Sequence, residues 1–449
     1  MAQSPTPQRG AADAFGAPAG VPRMGANYVP SERWWYAWQD WEPASIQEDL
    51  HALAELGLDH VRIQCLWPFF QPSPSAVSPV ALERLSELHG LADRAGLDVV
   101  TTVLDGWLSG FDFRPAWTET RNIFTDEDLV RAQELLLREV GTVLQRCPRS
   151  IGLDIGNEIN VLADETPANA VPPGGIDAWA ARMTEHGRAV HPTVPVMVGV
   201  DNRPLTEPDS AISIRSAAHA GDISCVHAWP YFSGALKRFG HRDPGSYAIA
   251  DYMVQLFRAH HTDPSRPVWV QEFGLAPEWV PAEDHEEFVD RQIRATIGID
   301  RVWGVTWWAS HDINPRYREF APLEYEMGLL DVDNRPKVAG RAMARVTAEL
   351  RAEARSGRSA SPSRTEAITV ASVPHGLRDA EVFFEAYRQG ERLALVREDR
   401  SEDHDHLRAR GIATVRDGTT MRAGTSVPAP RPTPTTRTTL TSMNEGVHS

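Results

Sequence analysis

Cysteine is scarce in this chain, with three residues among 449. Cys65, Cys147 and Cys225 stand far apart and form no CxxC pair. A disulfide framework needs an even and denser set, and a thiolate metal site needs closely spaced pairs, so neither is expected. All three lie in or beside apolar segments, which predicts buried free thiols.

Long apolar runs and an excess of positive charge are also missing. No segment reaches the roughly 18 consecutive apolar residues of a membrane-spanning helix, and the N-terminal stretch lacks the apolar core of a signal peptide. Basic residues number 45 against 61 acidic ones, a net charge of −16. Nucleic acids and anionic membranes bind basic surfaces, so neither is an expected partner. We expect a cytoplasmic protein that binds a neutral or cationic small molecule.

Composition divides the chain into four parts. Residues 1–22 are rich in Ala, Pro and Gly and are predicted to be a flexible leader, while residues 421–449, rich in Pro, Thr and Ser, are predicted to be a disordered tail. Residues 23–356 alternate short apolar runs with amphipathic helical segments. Residues 365–420 form a smaller apolar region, which predicts a small α/β extension packed on the main unit.

Eight short apolar runs in the main unit are predicted to be strands. They cover residues 24–27, 60–65, 97–104, 151–156, 194–200, 223–227, 268–273 and 301–308. Helical segments follow most of them, which predicts an α/β fold, a (β/α)8 TIM barrel. The alternative, an open doubly wound sheet, would favour a glycine-rich phosphate loop after the first strand, and the segment GANYVPSERWW contains none.

We expect an active site at the carboxyl ends of the strands, because barrel enzymes have their active sites there. The fourth and seventh strands end in glutamates, Glu158 in GLDIGNEIN and Glu272 in VWVQEFGL. A charged side chain directly after a buried run is costly unless it serves a purpose. Retaining glycoside hydrolysis needs two such carboxyls, one to attack the anomeric carbon and one to act as acid and then base. The pair therefore predicts a glycosidase site.

Other strand-end side chains are candidates for substrate binding. Tryptophan rings pack on the apolar faces of sugars, and all fourteen lie between Trp34 and Trp308. Arg62 could pair with the nucleophile or with a structural acid. His227 and His311 lack a third partner at metal spacing, so no metal or other cofactor is expected. The remaining candidates are Asn27, Trp67, Asp105, Trp107, Trp229, Tyr231 and Trp307.

These residues resemble those of clan A glycoside hydrolases, most of all family 5. The resemblance covers residues 24–354 and includes Asn157 directly before Glu158. Within family 5, the runs LGLDHVRIQCLWPFFQP, LDGWLSGFDFRPAW, RNIFTD and GNEIN are similar to the exo-β-mannosidase branch. That branch is associated with intracellular removal of β-1,4-linked mannose from mannosyl-N-acetylglucosamine. The resemblance implies that Glu158 is the acid/base and Glu272 the nucleophile.

The resemblance also implies roles for the binding residues. Asn157 would hydrogen-bond the 2-hydroxyl of the sugar, and Arg62 and His227 would order the nucleophile region. Trp307 or Trp308 would form the floor of the −1 subsite.

Two departures from the family pattern concern strands six and three. The family commonly has His-x-Tyr after strand six, with the Tyr touching the nucleophile. Here Trp229 stands in that place and Tyr231 comes two residues later, so either Tyr231 substitutes or the contact is missing. Many members have a His where this chain has Asp105, which leaves the identity of the sugar open.

Three functions remain open from the sequence. An exo-β-mannosidase needs a closed pocket, which the Trp-rich first loop and the long loop 105–121 could form. An endo-β-mannanase or endo-β-glucanase needs an open cleft. A non-catalytic carbohydrate-binding barrel would be favoured by loss of either glutamate, and both are present. The oligomeric state is not predicted.

Overall fold

The computed structural model describes residues 21–356, 364–373, 375–377 and 379–418. The predicted leader, apart from residues 21 and 22, and the predicted tail lie outside the described residues. Within those ranges, no helix combines the length and apolar character needed to cross a bilayer.

Eight parallel strands form the centre of the main unit. They are β1 (Arg23–Asn27), β2 (His60–Leu66), β3 (Asp98–Asp105), β4 (Ser150–Gly156), β5 (Val196–Met197), β6 (Ser224–His227), β7 (Val268–Phe273) and β8 (Val302–Trp307). Each strand lies within one of the eight predicted runs or differs from it by one residue at one end, except β3, which is shifted by one residue at both ends. The predicted (β/α)8 barrel is confirmed.

The strands follow one another around the barrel in the order β5-β4-β3-β2-β1-β8-β7-β6. The first and last strands pair in parallel, with Gly25 opposite Thr306. Between β5 and β6, hydrogen bonds of the backbone and side chain of Asp222 take the place of regular strand pairing. The backbone N–H of Asp222 donates to the Val196 carbonyl at 2.6 Å, and the Asp222 carboxylate accepts from the Val196 N–H at 2.8 Å. The barrel is therefore nearly closed.

A helix follows every barrel strand in the described part of the chain. In chain order these helices are Pro43–Glu55, Pro79–Ala95, Glu127–Leu144, Asp177–Val190, Ile214–His219, Ile249–His260, His285–Ile297 and Val338–Arg355. Local signals set their ends: Asp126 accepts from two N–H groups of the third helix, and Gly96 ends the second with φ 79°. The fifth helix is short, in keeping with the poor helical pattern at 208–220.

Shorter elements fill the loops around the barrel. The short α-helices are Trp67–Phe70, Ile159–Glu165, Arg203–Thr206, Ala235–Phe239 and Pro244–Tyr247. The 3-10 helices are Trp34–Trp38, Ala116–Thr118, Pro167–Asn169, Pro277–Trp279, Ala282–Asp284 and Pro322–Glu326. A two-stranded hairpin, Trp107–Leu108 with Phe111–Asp112, follows β3.

The C-terminal extension is a three-stranded parallel sheet with two α-helices. Its strands are β9 (Glu366–Val370), β10 (Ala394–Arg397) and β11 (Thr414–Arg416), its α-helices are Ala380–Arg388 and His404–Ala409, and a 3-10 turn spans Glu398–Arg400. The sequence pattern predicts a helix at 380–389 and strands at 393–396 and 412–415, which correspond to the first helix and the two outer strands. It predicts no strand at β9, the central strand, because EAITV carries Glu366 and Thr369 among its apolar residues.

The extension contacts the barrel through a buried ion pair. The Arg364 guanidinium donates to both oxygens of Asp251 at 2.8 Å and to Asp300 at 2.9 Å. Phe384 packs against Tyr252, with ring centroids 6.0 Å apart. The extension therefore shares charge pairing and apolar surface with the helix after β6.

Candidate active site

Glu158 stands at a sharp turn directly after β4. Its backbone has φ 41° and ψ 46°, in the left-handed region, which costs a non-glycine residue roughly 1–2 kcal/mol. The chain then enters the helix Ile159–Glu165, whose first N–H donates to the Gly199 carbonyl at 3.2 Å. The turn leaves the Glu158 side chain 17% exposed at the barrel mouth.

Glu272 lies on β7 at a β-bulge. Val226 of β6 faces Val270, yet the next residue, His227, faces Glu272, so β7 carries one extra residue there. Bulges re-aim side chains and are common beside active sites. As a result both Gln271 and Glu272 make hydrogen bonds with residues of the barrel interior.

The two glutamates approach each other closely. One oxygen of Glu158 and one of Glu272 lie within 4.8 Å of each other. The carboxyls of inverting glycosidases stand about 6.5–9.5 Å apart to leave room for a water, whereas those of retaining enzymes stand about 5–5.5 Å apart. Glu272 is the more buried, with 5% of its side chain exposed.

Arg62 organises the floor of the site from β2. Its fully buried guanidinium donates to Asp154 at 2.8 and 3.0 Å, to Glu272 at 3.0 Å, to Asn27 at 3.0 Å and to Asn157 at 2.8 Å. These contacts use all five of its N–H donors. Burial alone would lower the pKa of Arg62, but Asp154 and Glu272 outweigh it and raise the pKa. Arg62 thus pairs both with the predicted nucleophile and with a structural acid.

The protonation of His227 follows from its neighbours. The Asp154 carboxylate accepts from the Gln271 amide N–H at 2.9 Å, so the Gln271 oxygen is the atom that faces His227 Nε2 at 2.8 Å. Nε2 must therefore carry a proton. Nδ1 then faces Glu158 at 2.8 Å and Glu272 at 3.3 Å.

The short contact of His227 Nδ1 with Glu158 is a path along which a proton can move. A neutral His227 ring accepts at Nδ1 from a protonated Glu158, and a charged ring donates to the carboxylates. Burial acts to lower the pKa of His227, but Glu272 and Glu158 outweigh it and raise the pKa. Burial raises the pKa of Glu272, with His227 opposing and Glu158 reinforcing the rise. The arrangement can supply one acid and one carboxylate to the two atoms of the same bound bond.

Asn157 and Asn27 connect this floor to the loops. Asn157 accepts from Arg62 and donates to the Trp107 carbonyl at 2.8 Å. Asn27, fully buried, accepts from Arg62 and donates to the Gln271 carbonyl at 3.0 Å. Both amides therefore hold neighbours in place, and Trp107 itself is partly exposed at the rim.

Two of the predicted pocket tryptophans lie beneath the site. Trp307 is buried, donates to the Met327 carbonyl at 2.9 Å and packs edge-on against Phe273. Trp67 is equally buried and donates to Gln71 at 2.8 Å. Neither ring offers a face to a ligand.

Trp229, rather than Tyr231, takes the place of the family tyrosine. The Trp229 indole N–H donates to Glu272 at 3.3 Å. Tyr231 is 52% exposed and stacks on Trp279, with centroids 5.0 Å apart. The contact expected to be missing or supplied by Tyr231 is made by the ring at the family position itself, because indole and phenol both carry one donor.

Asp105, predicted to bind the sugar, lies inside the barrel and has no contact with solvent. It is fully buried, and neither carboxyl oxygen has a hydrogen-bond partner among the described residues. Burial raises its pKa well above the usual range. The protonated, neutral form is the one that suits such surroundings.

Sequence reasoning missed three polar residues of the site. Asp154 could have been found, since Arg62 on one buried strand requires a buried acid on another. Gln271 was hidden by the bulge, because simple alternation assigns adjacent residues to opposite faces. Glu324, in the 3-10 helix Pro322–Glu326, gives no signal, since it follows no strand directly. Burial raises the pKa of Glu324 to about 7, with Ser109 and Trp308 opposing and Glu272 and Glu158 adding to the rise.

Aromatic rings from three loops meet on one side of the mouth. Trp34 of the first loop lies 4.9 Å from Phe320 of the eighth and 5.6 Å from Phe113 of the third. Phe111 of the third loop lies 5.3 Å from Phe320. We call these four rings the aromatic wall.

Glu158, His227 and Glu272 are also the one converging set of potential metal ligands in the described ranges. A cation there would compete with Arg62, which already holds an oxygen of Glu272 at 3.0 Å. The donor set therefore fits proton chemistry better than metal binding.

Two glutamates at the ends of β4 and β7, joined by a histidine and held by a buried arginine, have the arrangement that glycoside hydrolysis requires. Solved structures show the family. The chain is 36% identical to a GH5_18 structure from Streptomyces cattleya in complex with GlcNAc, with TM-score 0.84, covering 89% of this chain and 98% of that one. A Glu-to-Ala variant from the same organism, in complex with Manb1-4GlcNAc, gives 36% identity, TM-score 0.83 and coverage of 88% and 99%.

A third relative comes from another genus. A GH5_18 structure from Bifidobacterium longum subsp. infantis is 30% identical, with TM-score 0.82 and coverage of 89% and 97%. The chain belongs to glycoside hydrolase family 5, in the GH5_18 group. No family model matches the chain, and no curated protein sequence matches it significantly.

Proposed function

We propose that this glycosidase is a retaining, exo-acting β-mannosidase that acts on short β-1,4-mannosyl oligosaccharides such as mannosyl-N-acetylglucosamine. The observation that carries the retaining mechanism is the approach of Glu158 and Glu272 to within 4.8 Å. The sugar assignment is supported by the S. cattleya relative, whose structure contains Manb1-4GlcNAc.

The reaction runs in two displacements. Glu272 attacks the anomeric carbon while Glu158 gives its proton to the leaving oxygen, so the glycosidic bond breaks and a glycosyl ester forms on Glu272. Glu158 then takes a proton from water, which attacks the same carbon and releases Glu272. His227 Nδ1, 2.8 Å from Glu158, accepts from that carboxyl while it is protonated and donates to it when the ring is charged.

Exo action is supported by the aromatic wall. Rings from the first, third and eighth loops contact one another at the barrel mouth, and such a wall would close the end at which an endo-acting cleft continues. A pocket closed at one end admits a terminal sugar and no more. The competing endo-β-mannanase and endo-β-glucanase functions require that end to be open.

The test of the catalytic pair uses two leaving groups. Glu158→Ala should cleave a dinitrophenyl β-mannoside and accumulate the glycosyl ester, since this leaving group needs little protonation. A mannosyl disaccharide should be cleaved about 10²–10⁴-fold more slowly than by wild type. Glu272→Ala should be nearly inactive on both and should form an α-glycosyl azide when azide is added. Equal losses on both substrates for Glu158→Ala would contradict the assignment.

Two further measurements test stereochemistry and mode of action. NMR of the first-formed sugar, read before mutarotation, should show the β-anomer; the α-anomer would mean inversion. A β-1,4-mannotetraose labelled at its reducing end should lose one mannose at a time from the other end, whereas an endo enzyme would release labelled disaccharide at once. A cytoplasmic location stays a prediction, which fractionation of the producing cells tests.

A further inference from the structure

Glu324 lies at the junction of the aromatic wall and the catalytic pair. It belongs to the 3-10 helix Pro322–Glu326, four residues after the wall ring Phe320. The segment after it is tied to the end of β8, because the Met327 carbonyl accepts from the Ala309 N–H at 3.1 Å and from the Trp307 indole at 2.9 Å. The loop that carries Glu324 is therefore held in place by hydrogen bonds to the end of β8.

Glu324 has no charged partner among the described residues, although Ser109 and Trp308 offer it hydrogen bonds. One carboxyl oxygen is shielded from solvent and accepts no hydrogen bond from the described residues. Its neighbours are Ser109, in the turn of the hairpin after β3, and Trp308. No Lys, Arg or His among the described residues forms an ion pair with it, yet Glu272 and Glu158 both repel its charge. Such a site costs stability, which points to a function for the carboxyl.

The position also indicates which part of a substrate Glu324 meets. Glu324 belongs to the same loop as the wall ring Phe320, and Phe320 contacts Phe111 of the hairpin after β3. The Trp107 carbonyl of that hairpin accepts from Asn157, the residue before Glu158, so the hairpin links the wall to the catalytic pair. A wall in this place would block further extension of a bound chain. A terminal sugar seated on Glu272 would therefore turn its far hydroxyls towards this corner.

We propose that Glu324 binds the non-reducing-end hydroxyls, on C3 and C4, of the sugar in the −1 subsite. The inference rests on the proposed exo-glycosidase function. A carboxyl presents two oxygens to two neighbouring hydroxyls, and in its protonated form it both donates and accepts. Ser109 adds a further hydroxyl at the same corner. Glu324 is thus a specificity residue that recognises the end of a chain and takes no part in bond cleavage.

The test is a cycle of enzyme variants and sugar analogues. The substrates are a dinitrophenyl β-mannoside and its 3-deoxy and 4-deoxy analogues, and the variants are Glu324→Gln and Glu324→Ala. We expect Glu324→Ala to lower kcat/KM on the parent sugar by about 10- to 100-fold, the usual effect of losing hydrogen bonds to a carboxyl. On at least one deoxy analogue, wild type and variant should differ by less than about 3-fold, because the hydroxyl that Glu324 would bind is already absent.

The controls separate binding from structure. Glu326→Ala changes an exposed carboxyl in the same 3-10 helix and should leave kcat/KM unchanged for every sugar. If Glu324→Ala does not fold, the same measurements are made with Glu324→Gln, which keeps the shape of the side chain. An equal loss on the parent and both deoxy sugars would overturn the proposal, since that pattern marks a general disturbance.

Failure of the proposed function would appear separately. If wild type does not hydrolyse the β-mannoside, the mannosidase assignment fails at that step. The cycle is then run with deoxy analogues of whichever aryl β-glycoside the enzyme does hydrolyse. Coupling between Glu324 and a far hydroxyl of that sugar would still support the inference, and its absence would refute it.

Discussion

Replacing Asp154 by Asn removes the charge that holds Arg62 in the centre of the barrel. One Asp154 oxygen accepts from Arg62 twice, from Thr102 at 2.8 Å and from Gln271 at 2.9 Å. An amide cannot accept all four, and its NH2 group would face other donors. Breaking a buried ion pair from one side costs about 3–5 kcal/mol. We expect the lower part of that range, about 3 kcal/mol, because Glu272 remains to pair with Arg62.

Urea denaturation of Asp154→Asn and two control variants measures this cost. Thr102→Val removes one neutral donor to the same oxygen and should cost about 1 kcal/mol. Arg131→Ala removes ion pairs with Glu127 and Asp128 on an exposed helix face and should change stability by less than about 1 kcal/mol. If Asp154→Asn unfolds at the same urea concentration as Arg131→Ala, the buried network does not support the fold and the reasoning is wrong.

Two further predictions concern charge around the site. The pKa of Glu324 is raised from 4.5 to about 7, so the fold favours the protonated form, and the stability this brings below pH 4.5 is lost as pH rises towards 7. Glu324→Gln cannot ionise, so its Tm relative to wild type should rise between pH 5 and pH 8; a constant difference would refute the shift. Trp229→Phe removes a donor to Glu272, which should raise the pKa of that carboxyl. The acid limb of its kcat/KM profile should move to higher pH, and an unmoved limb would show that the 3.3 Å contact does not act on the nucleophile.

The barrel could be predicted from the sequence because each of its strands is buried on both faces. Because of that burial, every strand appears in the sequence as a run of apolar residues, and helical segments separate most of the runs. The C-terminal strand β9 lacked such a signal, since it is short and carries Glu366 and Thr369 among its apolar residues. The weak fifth helix was hard to define for a similar reason, with only six residues to show a period.

In the candidate site, too, some residues could be predicted from the sequence and others could not. Glu158 and Glu272 could be located because each directly follows or ends a buried run, and the structure brings them together. Gln271 could not, since a bulge reverses the expected face. Glu324 reaches the site from a loop whose path depends on tertiary contacts such as that of Met327, and no local pattern encodes those contacts. The roles of all these residues stay predictions until the variants are measured.

The proposed catalytic geometry and the proposed chain-end selection depend on different parts of this molecule. The Arg62 network belongs to the strands, while the rings of the aromatic wall stand on loops, which hydrogen bonds such as that of Tyr36 to Glu319 also join. Trimming Trp34 and Phe320 would open a groove without moving a hydrogen bond of the dyad. Evolution or a protein engineer could therefore exchange a chain-trimming enzyme for a chain-cutting one by editing these loops, at a cost in stability, because Trp34 is buried and Trp38 of the same 3-10 helix donates to the Gln64 carbonyl of β2.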